Sequence, residues 1–193
     1  MKERILTSLL TVFVISGIQA QAPSPVPKLV VGLTIDQLRA DYIEAFSALY
    51  GERGFKRLLK EGRIYTNAEY DFINVDRSSA TASIYTGTTP YYNGIPSNRW
   101  MDRGSLRIIK SVDDQDFMGV YTSESSSAKL LRCSTLSDEL KVATQGRAEV
   151  YSIAPTREMA ILAAGHAANG AFWLNDETGK WLVRLIMEIA RCG

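Results

Sequence analysis

The feature that most constrains this chain is an apolar run rich in β-branched residues at Lys28–Ile35, which reads KLVVGLTI. Such a run is typical of a strand that is buried on both faces of a parallel sheet. It is followed directly by Asp36. Because ligand sites in open α/β sheets lie at the carboxyl ends of the strands, the run predicts an α/β fold with Asp36 at its functional edge.

Helices and strands alternate along the rest of the chain. Residues 38–52 have apolar side chains at helical spacing, and FKRLLKEG predicts a second short helix that ends at Gly62. Residues 103–132 are Ser-rich and are interpreted as an irregular surface insertion. The other predicted elements are a strand at Arg63–Tyr70, the start of a helix at Ala80–Thr86, helices at Thr135–Ala143 and Arg157–Ala164, and strands at Glu149–Ile153 and Gly170–Leu174 with a return from Trp181. This order predicts an α/β sandwich with a largely parallel sheet flanked by helices.

The N-terminus predicts export. Residues 1–22 combine a short basic start, an apolar stretch and an Ala-Gln-Ala cleavage pattern, which is typical of a signal peptide; a retained anchor is the alternative. Residues 23–27 are a Pro-rich spacer. We therefore expect a periplasmic or extracellular protein.

Composition excludes several partners. Lys and Arg number 22 and Asp and Glu number 21, so the chain has no excess of positive charge that would indicate a nucleic-acid partner. It has no second long apolar run that would indicate a membrane after signal cleavage. Cys133 and Cys192 do not make a disulfide framework. His166 is the single histidine, whereas a zinc hydrolase usually needs several imidazoles.

Three features could carry chemistry, and each has a structural alternative. Asp36 suits a divalent cation, or it caps a helix. Residues 76–90, DRSSATASIYTGTTP, place small hydroxyl residues before a helix, where an anion would bind, or they form a closely packed helix. Asn98 could donate to a phosphoryl oxygen or shape a turn.

Taken together, VVGLTIDQLRADYI, IYTGTTPYYNGI, NRW and AILAAGHAANGAFW resemble the type I phosphodiesterase/nucleotide pyrophosphatase branch of the alkaline phosphatase superfamily. The resemblance is strongest to its secreted bacterial phosphomonoesterases and covers residues 28–181 as the N-terminal part of such a domain. It implies hydrolysis of phosphate mono- or diesters with two zinc ions, a Thr or Ser nucleophile and a phosphoryl-enzyme intermediate.

The resemblance assigns Asp36 as a zinc ligand and Asn98 as a phosphoryl contact. The nucleophile position falls on Arg77, which has no lone pair to offer, and Ser78 is the displaced candidate one residue on. Arg157 is one place away from the arginine of the Lys-x-Arg motif, because residues 156–158 read Thr-Arg-Glu. The resemblance gives His166 a structural role, as a core or turn histidine.

Three interpretations of the function follow. Relatives run to several hundred residues, and the resemblance implies that their other zinc ligands lie in a second half, so the chain is interpreted as a truncated, inactive portion of a zinc hydrolase. The alternatives are a non-catalytic module that binds a phosphorylated or sulfated small molecule through Arg77, Asn98 and Arg157, or a non-functional remnant.

Two expectations concern the ends of the domain. Residues 182–193, LVRLIMEIARCG, are interpreted as a possible out-of-frame tail, with an amphipathic helix as the alternative. The KLVVGLTI run would lack a neighbouring strand in a partial sheet. We therefore expect the mature chain to be poorly soluble or molten when it is expressed alone.

Overall fold

The computed structural model describes residues 26–118 and 124–185. The predicted signal peptide, most of the spacer and most of the predicted tail lie outside these residues. The chain divides into two units between Val31 and Gly32. In the first unit, residues 26–31 form neither a helix nor a strand, and Leu29 and Val31 are exposed.

The predicted buried strand at Lys28–Ile35 is wrong. The segment forms no strand, and Leu33 and Ile35 at the start of the second unit are exposed. Among the described residues no strand pairs with it. A β-branched run becomes a buried strand only when neighbours satisfy its backbone and cover its side chains.

Short helices follow. The first predicted helix is split into α1 (Ala40–Ala45) and a 3₁₀ turn at Ser47–Leu49, whereas the second is confirmed as α2 (Phe55–Glu61). Neither helix has a buried residue. The strand predicted at Arg63–Tyr70 is wrong, since these residues are exposed and form no ladder.

The helix predicted from Ala80 begins three residues earlier, as α3 (Arg77–Thr86). Asp76 caps it, because its side chain accepts from the Ser79 backbone while the Ser79 side chain bonds back to Asp76. The helix ends at Gly87, whose φ of 67° is the left-handed conformation that glycine adopts without strain. A single turn, α4 (Pro90–Asn93), follows.

The Ser-rich region is more ordered than predicted. Strands β1 (Arg99–Met101) and β2 (Ile108–Lys110) pair antiparallel, as do β3 (Asp113–Met118) and β4 (Ser125–Ser126). The interpretation of residues 103–132 as an irregular surface insertion is therefore wrong. Several of its polar residues are paired by hydrogen bonds, as between Ser127 and Asp114, and Val112, Ala128 and Leu131 join the core.

The C-terminal part matches its prediction most closely. It comprises α5 (Leu136–Ala143), α6 (Arg157–Ala164) and a sheet of β5 (Tyr151–Ala154), β6 (Gly170–Leu174) and β7 (Trp181–Leu185). Strands β5 and β6 are parallel, while β6 and β7 are antiparallel. The α/β class is confirmed, with parallel pairing limited to this one pair among the described strands.

The core lies between α3, α6 and this sheet. Its largest buried apolar side chains are those of Trp173, Ile95, Ile161 and Leu162. Helix α6 contacts both α3 and β6. The packing fixes the N-termini of α3 and α6 beside the end of β6, and these ends surround the site described below. No helix within residues 26–118 and 124–185 has the length and apolar character to cross a bilayer.

Candidate functional site

A cleft of about 650 Å³ opens beside the N-termini of α3 and α6. It brings together Arg77, Asn98 and Arg157, three residues that are far apart in the sequence and that sequence analysis singled out. Ser78 and Asp36 do not line it. The other lining residues are Arg99, Lys110, Glu124, Thr156, Glu158, Trp173, Leu174, Asn175, Asp176, Glu177 and Leu182.

Asp76 holds the two sides of the α3 end of the cleft together. Its Oδ1 accepts from the Ser79 backbone N–H at 2.9 Å, and its Oδ2 accepts from the Ser97 hydroxyl and the Asn98 backbone N–H, both at 2.6 Å. Partial burial alone would raise the pKa of Asp76, but the hydrogen bonds from Ser79, Ser97 and Asn98 outweigh it and lower the pKa. Sequence analysis missed this role, although the spacing of Asp76 and Ser79 is a capping-box signal.

The orientation of the Asn98 amide is set by its partner. Its Oδ1 lies 3.0 Å from the Ser78 backbone nitrogen. Because that nitrogen can only donate, the oxygen of the amide must face it, and the Nδ2 group points the other way. Asn98 is exposed, so Nδ2 presents its donors at the cleft.

Arg77 is the first residue of α3 and is paired with Asp36. The guanidinium Nε lies 3.0 Å from Asp36 Oδ2, and the two side chains are 39% and 41% exposed. Such a pair contributes only about 0–1 kcal/mol to stability. The structure therefore joins the residue at the predicted nucleophile position to the predicted metal ligand, and it leaves the Nη edge of the guanidinium available.

Ser78 is placed where it cannot act as a nucleophile. Its side chain is fully buried, and its Oγ lies 2.9 Å from the Ser111 hydroxyl. A nucleophilic hydroxyl needs an adjacent base and access to the substrate, and Ser111 provides neither. The displaced-nucleophile hypothesis therefore has no geometric support. Sequence analysis gave no signal for the Ser111 contact, which depends on the fold.

Arg157 is held by carboxylates. Its Nη2 lies 2.8 Å from Asp113 and 3.6 Å from Glu158, its Nη1 lies 3.6 Å from Glu124, and the side chain is only 9% exposed. A buried arginine among three carboxylates is already neutralised, and it organises the wall of the cleft from behind.

The described residues do not fit the two zinc ions implied by the resemblance. Nowhere in residues 26–118 and 124–185 do three or more His, Cys, Asp or Glu side chains converge in a way that could hold a metal ion. Asp36 has the Arg77 guanidinium at contact distance. A catalytic zinc normally takes three protein ligands.

His166 lies outside the cleft, in the turn after α6. Its Nδ1 is 3.1 Å from Asp138 Oδ2 and its Nε2 is 3.0 Å from the Leu131 carbonyl oxygen. Both partners accept hydrogen bonds, which favours the doubly protonated ring. The hydrogen bond to Asp138 is the main cause of the raised pKa of His166, and burial opposes it.

Asp138 connects this turn to the start of α5. Its Oδ1 accepts from the backbone N–H groups of His166 and Ala167, and its Oδ2 accepts from Thr135. Burial alone would raise the pKa of Asp138, but the hydrogen bonds from His166, Thr135 and Ala167 hold it well below its usual range.

The α/β core of this chain has counterparts among known structures and families. The chain superposes on a crystal structure of wild-type alkaline phosphatase PafA with a TM-score of 0.79 and 35% identity, covering 83% of this chain and 32% of that one. The model of the type I phosphodiesterase / nucleotide pyrophosphatase family matches residues 30–184, so the chain belongs to this family of phosphodiesterase and alkaline phosphatase hydrolases.

Curated relatives agree with this assignment. The chain is 42% identical over 159 residues to alkaline phosphatase PhoV of Synechococcus elongatus, covering 81% of this chain and 29% of the relative. It is 36% identical over 181 residues to alkaline phosphatase PafA of Elizabethkingia meningoseptica, covering 90% and 33%. The chain spans about a third of the length of these relatives.

A further crystal structure is also similar to this chain. It is of PafA with a threonine, an asparagine, a lysine and an arginine replaced together, and it matches with a TM-score of 0.79 and 34% identity, covering 83% of this chain and 32% of that one. The replaced threonine and asparagine are separated by the same number of positions as Arg77 and Asn98.

Proposed function

We propose that this chain binds a phosphorylated or sulfated small molecule at the cleft and does not hydrolyse it. Zinc-dependent hydrolysis of phosphate mono- or diesters is what the family resemblance implies for complete members. In this chain the groups that would bind the oxyanion are retained, whereas a group that could attack phosphorus is not.

One observation carries the proposal: the position that the resemblance assigns to the nucleophile holds Arg77, and Asn98 lies beside it through its bond to the Ser78 backbone. Arginine stays cationic and has no lone pair with which to attack phosphorus. The neighbouring hydroxyl of Ser78 is buried against Ser111. A site with donors and no nucleophile binds an oxyanion and leaves it intact.

The cleft supplies donors that suit a tetrahedral oxyanion. Arg77, Asn98, Arg99 and Lys110 all line it. The Nε of Arg77 and the Oδ1 of Asn98 are engaged by Asp36 and the Ser78 backbone, so the Nη groups and the Nδ2 group are the donors available to a ligand. Hydrogen bonds from arginine to phosphate oxygens are charge-assisted and frequently bidentate. Arg157 supports this site indirectly, since its own charge is taken by Asp113, Glu124 and Glu158.

The remaining parts of the proposal rest on the sequence. The predicted signal peptide at residues 1–22 favours export to the periplasm or the outside, where phosphorylated and sulfated metabolites would be the ligands. The balanced charge favours neither nucleic acid nor a membrane as partner. A remnant without function would show no specific binding at all.

The test combines a binding and a turnover measurement on the mature chain. Calorimetry with phenyl phosphate should give a saturable site. Arg77→Ala should weaken it about tenfold or more, since a charge-assisted hydrogen bond contributes about 1.5–3 kcal/mol. Arg39→Ala is the matched control, because Arg39 is also an exposed arginine paired with an aspartate, Asp41, and does not line the cleft.

Turnover is measured with p-nitrophenyl phosphate and added zinc. We expect no release of p-nitrophenol above the rate in buffer. Release that disappears in Ser78→Ala would contradict the proposal and favour the displaced nucleophile. Absence of any saturable phenyl phosphate binding would contradict it in favour of the remnant.

A further inference from the structure

Asp36 and Arg77 contact each other instead of the partners that the resemblance implies for their positions. A carboxylate assigned to a metal ion instead lies against a guanidinium, with Nε 3.0 Å from Oδ2. The residue in the nucleophile position thus provides a positive charge where the resemblance implies a cation. No further Asp, Glu, His or Cys among the described residues joins Asp36 to make a metal site.

From this arrangement we infer that Arg77, held by Asp36, is the built-in cation of the site, so that oxyanion binding by this chain is independent of divalent metal ions. The inference rests on the proposed function and specifies how the anion is held. It assigns Asp36 the role of a positioning residue for Arg77.

Charge balance is the first argument. An unpaired carboxylate beside the cleft would repel a phosphate dianion, so Asp36 needs a positive partner if the cleft is to hold one. Arg77 supplies it. Because the guanidinium is always charged at physiological pH, this partner needs no metal supply and does not dissociate.

Geometry is the second argument. Zinc binds a carboxylate oxygen at about 2.0–2.2 Å. Asp36 Oδ2 already accepts from Arg77 Nε at hydrogen-bond distance, so a zinc ion on this oxygen would have to displace the arginine and would face its positive charge. The two cations therefore compete for Oδ2, and the positive charge of Arg77 disfavours a zinc ion on Oδ1 as well.

Directionality is the third argument. Asp36 contacts the Nε side of the guanidinium, and Arg77 lines the cleft. A guanidinium has two edges that can each hold a pair of oxygens. Holding one side on Asp36 reduces the freedom of the long side chain and directs the other edge to the ligand, beside the Asn98 amide.

The experiment measures phenyl phosphate binding to the mature chain by calorimetry, once in EDTA and once after dialysis against zinc. We expect dissociation constants that agree within about twofold. Binding that appears only with zinc, or that tightens more than about tenfold, overturns the inference while leaving the proposed function intact. Absence of binding in both buffers contradicts the proposed function itself.

Zinc binding, measured by equilibrium dialysis without phosphate, distinguishes a failure of this inference from a failure of the proposed function. We expect no stoichiometric zinc on the wild-type chain; a zinc site that is lost in Asp36→Asn overturns the inference whatever phenyl phosphate does. Asp36→Asn should keep the hydrogen bond from Nε, remove one negative charge and tighten phenyl phosphate about threefold. Weaker binding in this variant also overturns it. Far-UV circular dichroism serves as the folding check, since both side chains are part-exposed.

Discussion

Two stretches of the second unit differ in how they use apolar residues. None of the residues in Gly32–Asp76 is buried, although the stretch contains two helices and many large apolar side chains. Arg77–Arg184, apart from the undescribed residues 119–123, contains all the buried core residues. The comparison shows that local spacing is enough to start a helix, whereas a core needs elements from distant parts of the chain that pack on each other.

The largest effect should come from matched leucine truncations in the two stretches. Leu162 in α6 is fully buried, whereas Leu33 is 79% exposed. We expect Leu162→Ala to lower the free energy of unfolding by about 2–5 kcal/mol, because it leaves a cavity. Leu33→Ala should change it by less than about 0.5 kcal/mol. Urea unfolding followed by circular dichroism gives both values, and equal losses would show that the first stretch is also packed.

Arg184 in β7 is a weak point of the second stretch. Its Nε is buried without a partner among the described residues, and burial lowers the pKa of its guanidinium. The guanidinium carbon lies 5.1 Å from the centre of the Phe117 ring. We expect Arg184→Leu to raise the free energy of unfolding by about 1–2 kcal/mol, since removing a buried charge that is poorly paired is often stabilising.

Arg157→Leu is the control for this substitution and should have the opposite sign. It removes a buried arginine that is well paired, and it removes the guanidinium that Asp113, Glu124 and Glu158 share. We expect a loss of about 1–3 kcal/mol in the same urea experiment. If both arginines behave alike, pairing is not what distinguishes them.

A smaller effect should depend on pH and come from the second stretch alone, because the only histidine is His166. Its pKa is raised in the folded state. The stabilisation is therefore complete below the unfolded value, about 6.5, and is lost as the pH rises through the folded value. Because the ring is 42% exposed, we expect a loss of less than about 1 kcal/mol.

The measurement for this prediction is the free energy of unfolding at about pH 5.5 and about pH 8.5, on either side of the ordinary histidine pKa. His166→Gln is the control and should remove most of the difference. Asp138 has the opposite sign: its pKa is lowered, so its contribution is lost as the pH falls below about 4. A dependence of equal size in His166→Gln would assign the effect to other groups.

The smallest effect on stability should accompany a clear effect on solubility. Leu33 and Ile73 in the first stretch are 79% and 87% exposed. Replacing both by Lys should leave the free energy of unfolding within about 0.5 kcal/mol and should raise the soluble yield of the mature chain. Light scattering of matched preparations measures this. Unchanged aggregation would show that the residues responsible for it lie outside the first stretch.

The sequence predicted best where an element carries its own signals. Thr135 and Asp138 form a capping box at the start of α5, and α6 and β6 match their predicted bounds. It failed at Lys28–Ile35 and Arg63–Tyr70, because a strand exists only with a partner and the apolar pattern says nothing about whether one is present. The prediction for residues 103–132 failed for the opposite reason. In the sequence its polar side chains indicated a surface loop, but in the fold some of them are paired and buried.

For the site, the sequence indicated Arg77, Asn98 and Arg157, and the structure brings all three to one cleft. Their assigned roles remain predictions. What the sequence did not reveal was the partner of each: Asp36 for Arg77, the Ser78 backbone for Asn98, and three carboxylates for Arg157. Apart from the contact between the neighbours Arg157 and Glu158, each of these contacts joins segments distant in the chain, so no local pattern encodes it.

The hydrogen bonds of Asp76 have a consequence for how such a site can evolve. They join the start of α3 to the Ser97–Asn98 segment through atoms of Asp76, Ser79, Ser97 and Asn98, and none of these atoms belongs to residue 77. A mutation at position 77 therefore changes the chemistry without removing the scaffold around it. A change of residue at this position should therefore leave the fold intact, so that under the proposed function selection could act on ligand affinity separately from stability.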